Sequence, residues 1–563
     1  MSVTNTEDSS VATKGLKGGS LGLLSSIVVG VASTAPAYSL AASLGYVVIV
    51  KNGDGIIGTK APLIMILAFI PMYFIAVAYA ELNKAEPDCG TTFTWAARAF
   101  GTKVGWMGGW GIIAADVIVM ANLAAIAGSY TFTFFGFTSL AASTFWSTVA
   151  GVLWIVIMTY ICYRGIEVSA RVQYALLAFE LVTLLAFTAV AFYKVLTEGA
   201  AGGHLMPSWS WLSPSGLTAS AVSSGLLIAA FIYWGWDTAV TTNEEADDPA
   251  TTPGRAAIMS TVFLLLTYAL VSVATVAFAG VSTKAHGLGN EANAGDVFNA
   301  LGADVFGGGV FGKVMLAMLA FSVLTSASAS TQTTILPTAR TALSMGAFKA
   351  LPDTFARIHP RYLTPLDATV WMGAVSIIFY VGLTLVSTNI LADTIAAVGL
   401  MIAFYYGLTG FACVWFYRKT MWSSTRNIVM QGLLPLLGGI SLFTAFVLAA
   451  KTYADPNYGN FEILGIGSVF LIGIGALLLG VVVMFVYQWV RPDYFRGETL
   501  PRRDASELVL AGVDYEGPTL RLPDSAENIV IAPDLSNLPP GQVAVDPTTG
   551  EEFTLESKPE DPA

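Results

Sequence analysis

Long runs of apolar residues, each about as long as a bilayer is thick, recur along most of the chain and restrict its fold more than any other feature. A helix needs about 20 apolar residues to cross the hydrocarbon core of a bilayer. Twelve such segments lie near 21–50, 61–81, 103–136, 141–163, 171–196, 218–241, 256–281, 312–338, 367–388, 392–417, 427–451 and 461–490. Apolar residues fill 55% of the 563 positions and charged residues only 12%, which excludes an ordinary soluble domain. We predict an all-α integral membrane protein with twelve transmembrane helices.

Basic residues predict how these helices are oriented. If the N-terminus is cytoplasmic, the inner segments hold 21 of the 27 Lys and Arg residues, as the positive-inside rule requires. We therefore expect both termini inside the plasma (inner) membrane, a cytoplasmic N-terminal segment over 1–20 and a twelve-helix domain over 21–490. Residues 491–563 carry 6 basic and 15 acidic residues and many prolines, so we predict a disordered cytoplasmic tail.

Side chains that would point to catalysis or to a metal are not arranged for either purpose. The three cysteines, Cys89, Cys162 and Cys413, have no metal-ligand or C-x-x-C spacing. The three histidines fall in predicted loops. We expect no catalytic residue, no metal, no cofactor and no nucleic-acid partner, and therefore not an enzyme.

Two of the predicted spans are broken near their middles. The first is interrupted at 33–36 (Ser-Thr-Ala-Pro), where Pro36 removes a backbone donor and clashes with the preceding turn. The sixth is interrupted at 233–237 (Tyr-Trp-Gly-Trp-Asp) and turns polar over 241–245. Lipid cannot satisfy the freed backbone groups, so such breaks are tolerated where they line a cavity. Breaks in corresponding positions of two halves indicate the binding site of an inverted-repeat transporter.

The sixth-span break also carries a family resemblance. The string 231–237 (Phe-Ile-Tyr-Trp-Gly-Trp-Asp), followed by Glu244, Glu245 and Pro253, resembles a signature of the amino acid-polyamine-organocation (APC) permeases. Supporting matches lie at 165–173, 340–346 and 351–365. The resemblance covers about residues 18 to 490. It implies the leucine-transporter-type fold, with two inverted five-helix repeats plus two helices, and secondary active transport of amino acids or related amines.

The first-span break departs from the family pattern. Many relatives unwind at a Gly-Ser-Gly or similar triplet, whereas this chain has 33–36 instead. Backbone N–H groups around Ser33 to Ala35 and beyond Pro36 remain available for a substrate carboxylate, which the dipole at a helix N-terminus favours. The alternative interpretation is a helix that is only kinked.

Asp116 lies near the middle of the third span, where an ionised carboxylate is costly. The resemblance places it beside the substrate. With Asp237 across the pocket and Trp234 or Trp236 available for a cation–π contact, it would suit an amino group. The alternative is a protonated Asp116 that bonds a neighbouring helix.

Glu180 occupies the middle of the fifth span, where the resemblance implies a lysine in proton-coupled relatives. A buried glutamate there suits loading and release of a proton. It could also hold Na⁺ with hydroxyl groups of the eighth span, such as those of Ser326 and Ser330. Those hydroxyl groups have a second interpretation, since small hydroxylated residues let helices pack closely.

These features predict a proton-coupled amino acid permease, a symporter that works by alternating access around a midplane site. The alternatives are a polyamine or small-amine transporter or exchanger and, outside transport, a membrane channel or a substrate sensor. The expected partners are a small-molecule substrate, a proton or a sodium ion, and the lipid bilayer. The predicted substrate-binding residues are Ser33, Thr34, Ala35, Tyr38, Asp116, Phe231, Trp234, Gly235, Trp236 and Asp237. The acidic residues Glu244, Glu245, Asp247 and Asp248 lie past the membrane and are interpreted as a solvated or capping cluster. The alternative is that they bind a cytoplasmic gate arginine such as Arg340.

Overall fold

The protein is almost entirely helical. The computed structural model describes residues 14–386, 390–456, 458–459, 462–506, 543–545 and 552–554. Numbered as the predicted spans, the helices are Leu23–Ser33 and Pro36–Ile49 (first), Ala61–Ala85 (second), Thr102–Phe134 (third), Thr144–Tyr163 (fourth), Ile166–Glu198 (fifth), Ala219–Phe231 and Thr238–Thr241 (sixth), Thr252–Ala279 (seventh), Gly309–Ala347 (eighth), Leu366–Val386 (ninth), Ile390–Tyr417 (tenth), Leu434–Tyr453 (eleventh) and Ser468–Val490 (twelfth).

The connections contain short elements. The helices among them are Thr92–Phe100, Thr138–Ala141, Val297–Phe306, Thr425–Asn427 and Pro492–Phe495, and a π-helix over Ile428–Leu433 leads into the eleventh span. The short 3-10 helices are Gly58–Lys60, Gly199–Gly202, Trp209–Leu212, Asn243–Glu245, Glu291–Asn293, Asp353–Ala356 and Met421–Ser423. Within the described residues, antiparallel strand pairs form between Lys51–Asn52 and Gly55–Ile56, between Glu462–Ile463 and Ile466–Gly467 and, after the last span, between Val543–Val545 and Glu552–Thr554.

Length and composition confirm an integral membrane protein. Within the described residues, eleven helices are long and apolar enough to cross a bilayer. Each coincides with one of the twelve predicted spans. The sixth span does not reach this length, because its helix ends at Phe231 where the break begins. The count of twelve crossings and the inverted repeats stay predictions.

Burial separates an inner set of helices from an outer set. The first span is buried over nearly all of Val28–Val48, whereas the fourth span exposes large apolar side chains such as Leu153 and Tyr160. Exposed apolar side chains on a helix of this length are suited to lipid. The broken first span therefore lies inside the bundle.

The N-terminal segment packs against one end of the bundle, which we call the N-terminal face. The backbone N–H groups of Ser20 and Leu21 donate to the carbonyl oxygen of Glu245, at 2.9 and 3.0 Å. The Lys14 ammonium is buried and contacts the carboxylates of Asp88, at 2.9 Å, and Glu244. Residues 14–21 are thus an ordered part of this face, while residues 1–13 lie outside the described part.

Residues 491–506, which composition assigns to a disordered tail, also pack on the N-terminal face. Tyr494 and Leu500 are fully buried, and the Tyr494 hydroxyl donates to the carbonyl oxygen of Thr102 at 2.8 Å. Asp504 forms ion pairs with Arg418 at 2.9 Å and Lys419 at 2.7 Å. We call this segment the C-terminal strap. Most of the predicted tail beyond it lies outside the described residues.

Candidate functional site

The two helix breaks meet each other inside the bundle. Gly235 has φ +115°, and a Cβ placed on it would lie 2.8 Å from the carbonyl oxygen of Ser33. The hydroxyl groups of Ser33 and Thr238 are 2.9 Å apart. Glycine is needed at 235 both for its backbone conformation and for this close approach. Ala35, at φ +47° and ψ +66°, takes a left-handed conformation that is uncommon for alanine.

Glu180 of the fifth span and two serines of the eighth reach the first-span break. The backbone N–H of Ala37 donates to Glu180 Oε1 at 2.6 Å, and the Ser326 hydroxyl donates to the same oxygen at 2.8 Å. The N–H of Tyr38 donates to the Ser326 hydroxyl at 3.2 Å. The Ser330 hydroxyl donates to the carbonyl oxygen of Ser33 at 2.9 Å. All three predicted coupling residues therefore contact the break.

The backbone N–H groups at the break are engaged within the protein. Those of Thr34 and Ala35 donate to the carbonyl oxygens of Val31 and Ala32, both at 3.1 Å. Beyond Pro36, the N–H groups of the first helical turn donate to the Glu180 carboxylate and the Ser326 hydroxyl. A substrate carboxylate at this helix N-terminus must therefore take the place of an existing partner.

A small cavity lies between the two breaks. Its volume is about 10 Å³, at the lower limit for a single water molecule. The residues that line it are Ser33, Asp116, Trp234, Gly235, Asp237, Thr238, Thr333, Thr334 and Pro337. Five of the ten predicted substrate-binding residues meet here, including both carboxylates, each only 3% exposed.

Both carboxylates are held by hydroxyl groups. Asp237 accepts hydrogen bonds from Tyr406 at 2.9 Å and from Tyr405 at 3.2 Å. The Thr338 hydroxyl of the eighth span donates to Asp116. This last bond is the helix-to-helix contact of the alternative interpretation of Asp116, and it leaves that residue at the cavity wall.

A second cavity of about 390 Å³ is lined by Tyr38 and Phe231, whose ring centroids are 6.4 Å apart in an edge-on arrangement. Tyr46 and Gly295 also line it. Because the first span starts at the N-terminal face and reaches Tyr46 near its far end, this cavity lies toward the opposite face. Its volume suits a small organic molecule.

Trp236, Thr34 and Ala35 do not belong to the described lining of either cavity. Trp236 is fully buried and packs against Tyr79 and Tyr406, with both ring centroids at 5.2 Å. The Thr34 hydroxyl donates to a carbonyl of its own helix at 2.7 Å. All three residues are buried at the breaks.

Sequence reasoning missed four side chains that hold the predicted residues. Tyr405 and Tyr406 donate hydrogen bonds to Asp237, and Thr338 donates one to Asp116. Asn122 accepts a hydrogen bond from the Tyr38 hydroxyl. Two adjacent tyrosines inside an apolar span are a signal that could have drawn attention to the tenth helix. Nothing in the sequence indicates which carboxylate they meet.

Ion pairs close the N-terminal face beneath the site. Arg340 binds Glu245 through two hydrogen bonds, at 2.5 and 2.7 Å, which is the alternative given for this acidic cluster. Glu244 and Glu245 are buried, so the interpretation of these two residues as a solvated cluster is wrong. Burial raises the pKa of Asp88, but the Lys14 ammonium and the Ser344 hydroxyl outweigh it and hold that pKa at about 2. The face is thus sealed by buried charges.

Comparison with known proteins decides the family. The family model described as amino acid permease matches residues 21–486. The chain belongs to the amino acid permease family. This confirms the resemblance to APC permeases, and it makes the protein a transporter and not an enzyme.

Individual relatives of this permease are distant. An uncharacterized transporter of Mycobacterium tuberculosis is 28% identical over 360 residues, which cover 63% of this chain and 72% of the relative. A branched-chain amino acid permease of Lactococcus lactis is 25% identical over 425 residues, covering 72% and 86%. A glutamate/serine transporter of Bacillus subtilis is 24% identical over 402 residues, covering 70% and 71%.

Proposed function

We propose that this permease is a proton-coupled amino acid symporter of the plasma membrane that works by alternating access around the two helix breaks. The observation that carries the proposal is the contact of the breaks at Gly235 and Ser33. Two buried carboxylates, Asp116 and Asp237, lie at the same place. The site lies between a face sealed by ion pairs and a cavity of about 390 Å³ toward the other face. The proposal includes twelve spans, two inverted repeats and cytoplasmic termini.

The two carboxylates favour a substrate with an amino group. Asp116 and Asp237 place two carboxyl groups that can accept hydrogen bonds from an amino group on one cavity, and Trp234 adds an aromatic face for a cation–π contact. The cavity must widen to admit a substrate, because its present volume of about 10 Å³ is too small. We expect neutral or cationic amino acids. The relatives include a branched-chain amino acid permease and a glutamate/serine transporter. Membership of the family therefore does not identify the side chain of the amino acid that is transported.

Glu180 is the proposed link between proton and substrate. Its Oε1 accepts from Ala37 and Ser326, and its Oε2 has no hydrogen-bond partner among the described residues. Protonation removes the negative charge that holds the Ala37 N–H. The helix N-terminus then becomes available to a substrate carboxylate, whose charge replaces that of Glu180. Proton and substrate would thus bind together, as symport requires. Sodium is the second candidate ion, because carboxylate, hydroxyl and carbonyl oxygens gather at this break.

A polyamine or small amine is the second candidate substrate. The observation that favours it is that the N–H groups of Thr34, Ala35, Ala37 and Tyr38 all have partners within the protein. A substrate without a carboxylate needs none of them.

Uptake into proteoliposomes tests these proposals. Labelled leucine, arginine and putrescine are supplied outside, with the outer pH lower than or equal to the inner pH, in sodium-free and sodium-containing buffers. We expect amino acid uptake driven by the pH gradient without sodium, and its loss on adding a protonophore. Uptake of putrescine alone would overturn the amino acid assignment, and gradient-independent uptake that requires sodium would overturn proton coupling.

Glu180→Gln tests the coupling residue. The amide keeps the shape of the side chain but cannot exchange a proton, so we expect exchange of labelled for unlabelled substrate to continue while uptake driven by the pH gradient is lost. Glu198→Gln, an exposed change at the end of the same helix, is the control. Unchanged gradient-driven uptake in Glu180→Gln would contradict the role of this residue.

A further inference from the structure

A third cavity lies on the N-terminal face, away from both helix breaks. Its volume is about 230 Å³, and it lies between the second span, the start of the seventh and the π-helix before the eleventh. The residues that line it are Val77, Ala80, Glu81, Lys84, Ala250, Thr251, Gly254, Arg255, Ile258, Arg426 and Met430. None of them belongs to the proposed transport site.

Positive charge predominates in this cavity. It has three cationic side chains, Lys84, Arg255 and Arg426, against one carboxylate, Glu81. Glu81 accepts a hydrogen bond from Arg426 at 2.6 Å, so one positive charge is balanced. Within the described residues Lys84 forms no ion pair, and Arg255 forms none although it interacts electrostatically with Asp248 outside the lining. Both residues are exposed. The net charge of the lining is therefore positive.

The cavity is built on buried contacts. Glu81 is only 5% exposed, and its second carboxylate oxygen accepts from Gln431 at 2.8 Å. The Tyr417 hydroxyl donates to the backbone carbonyl of Glu81 at 2.7 Å. These bonds hold Glu81, the residue that binds the Arg426 guanidinium, while the Arg426 side chain itself is 56% exposed. The π-helix over Ile428–Leu433 widens the backbone at this point, and such stretches occur often at functional sites.

Exposed apolar side chains suited to lipid occur close in sequence to the residues that line the cavity. On the seventh span, Met259 and Val262 are 49% and 38% exposed, and on the eleventh side Ile428 and Leu433 are 37% and 49% exposed. Met259 directly follows Ile258, and Ile428 and Leu433 lie on either side of Met430 in the π-helix. A ligand that joins an anionic group to acyl chains fits both surfaces at once.

We propose that this cavity binds the phosphate-bearing headgroup of an anionic phospholipid. Guanidinium groups bind phosphate through paired hydrogen bonds, and an ammonium supplies a point charge. Basic pockets between membrane-spanning helices on the cytoplasmic side bind such headgroups. The lipid would join the second, seventh and eleventh spans. This site does not depend on the proposed transport activity, but it rests on the proposed cytoplasmic position of the N-terminal face.

The test uses the purified full chain in a neutral detergent. Dioleoylphosphatidylglycerol, dioleoylphosphatidylcholine or inorganic phosphate is added, thermal unfolding is followed by intrinsic fluorescence, and bound lipid is counted by native mass spectrometry. We expect phosphatidylglycerol to raise Tm by several degrees and to remain bound, and the other two additions to do neither. The Lys84→Gln/Arg255→Gln double variant should lose at least about tenfold in its affinity for phosphatidylglycerol.

The matched control is Lys103→Gln/Arg361→Gln, which removes two exposed cations elsewhere on the chain. It should bind phosphatidylglycerol as the unchanged protein does. Equal losses in both double variants would show general surface attraction and overturn the proposal. Equal shifts with phosphatidylcholine, or with inorganic phosphate at the same concentration, would also overturn it.

Discussion

Gly235 allows the backbones of the two breaks to approach each other closely. Its φ of +115° and the 2.8 Å approach of an added Cβ to the Ser33 carbonyl leave no room for a side chain. We expect Gly235→Ala to abolish substrate uptake and to lower Tm, because a left-handed alanine costs roughly 1–2 kcal/mol before any clash. Gly382→Ala, in open space on the ninth helix, should keep both properties. Wild-type uptake by Gly235→Ala would contradict a close contact of the breaks.

Asp116 decides at the residue scale whether charge selects the substrate. Removing one of the two carboxylates from the small cavity should weaken the binding of a substrate with an extra positive charge more than the binding of a substrate without it. We expect Asp116→Asn to reduce arginine uptake at least tenfold more than leucine uptake, measured by competition in proteoliposomes. An equal effect on both would leave Asp116 as the partner of Thr338 alone.

At the scale of an element, the eighth helix connects the break with the N-terminal face. It carries Ser326 and Ser330 at the break and Arg340 at the face. Glu245→Gln leaves the Arg340 guanidinium buried without its ionic partner. Loss of one member of a buried ion pair costs about 3–5 kcal/mol. We therefore expect a clear fall in Tm, measured by intrinsic fluorescence in detergent.

Glu167→Gln is the control for that pair. It breaks the exposed contact of Lys17 with Glu167, at 2.7 Å, and exposed pairs contribute little. Its Tm should match that of the unchanged protein. Equal behaviour of Glu245→Gln and Glu167→Gln would mean that the seal at the N-terminal face contributes nothing to the stability of the folded protein.

At the scale of the whole molecule, the C-terminal strap joins distant parts of the N-terminal face. It buries Tyr494 and Leu500 and binds Arg418 through Asp504. Ending the chain after Val490 removes these contacts, so we expect Tm to fall by several degrees. Ending it after Ser506 keeps them and should leave Tm and uptake unchanged. Equal loss in both truncations would assign the effect to residues beyond the strap.

Local sequence patterns were sufficient to predict the helices and the breaks. An apolar run of about 20 residues is long enough to form a spanning helix, and Pro36 interrupts a helix through its own ring. Composition did not predict the order of a segment that only a few buried residues hold in place. The acidic composition of 491–563 predicted a disordered tail. It gave no indication that Tyr494 and Leu500 are buried and hold the strap in place.

The sequence by itself determined that this protein is a membrane-embedded permease with two interrupted spans, because those properties reside in contiguous residues. Only the tertiary structure decided what meets at the breaks. Glu180 binds the N–H of Ala37, and Asp237 binds Tyr405 and Tyr406, across more than a hundred residues of chain. Such contacts depend on how helices pack against one another, and no local pattern of residue types records that packing.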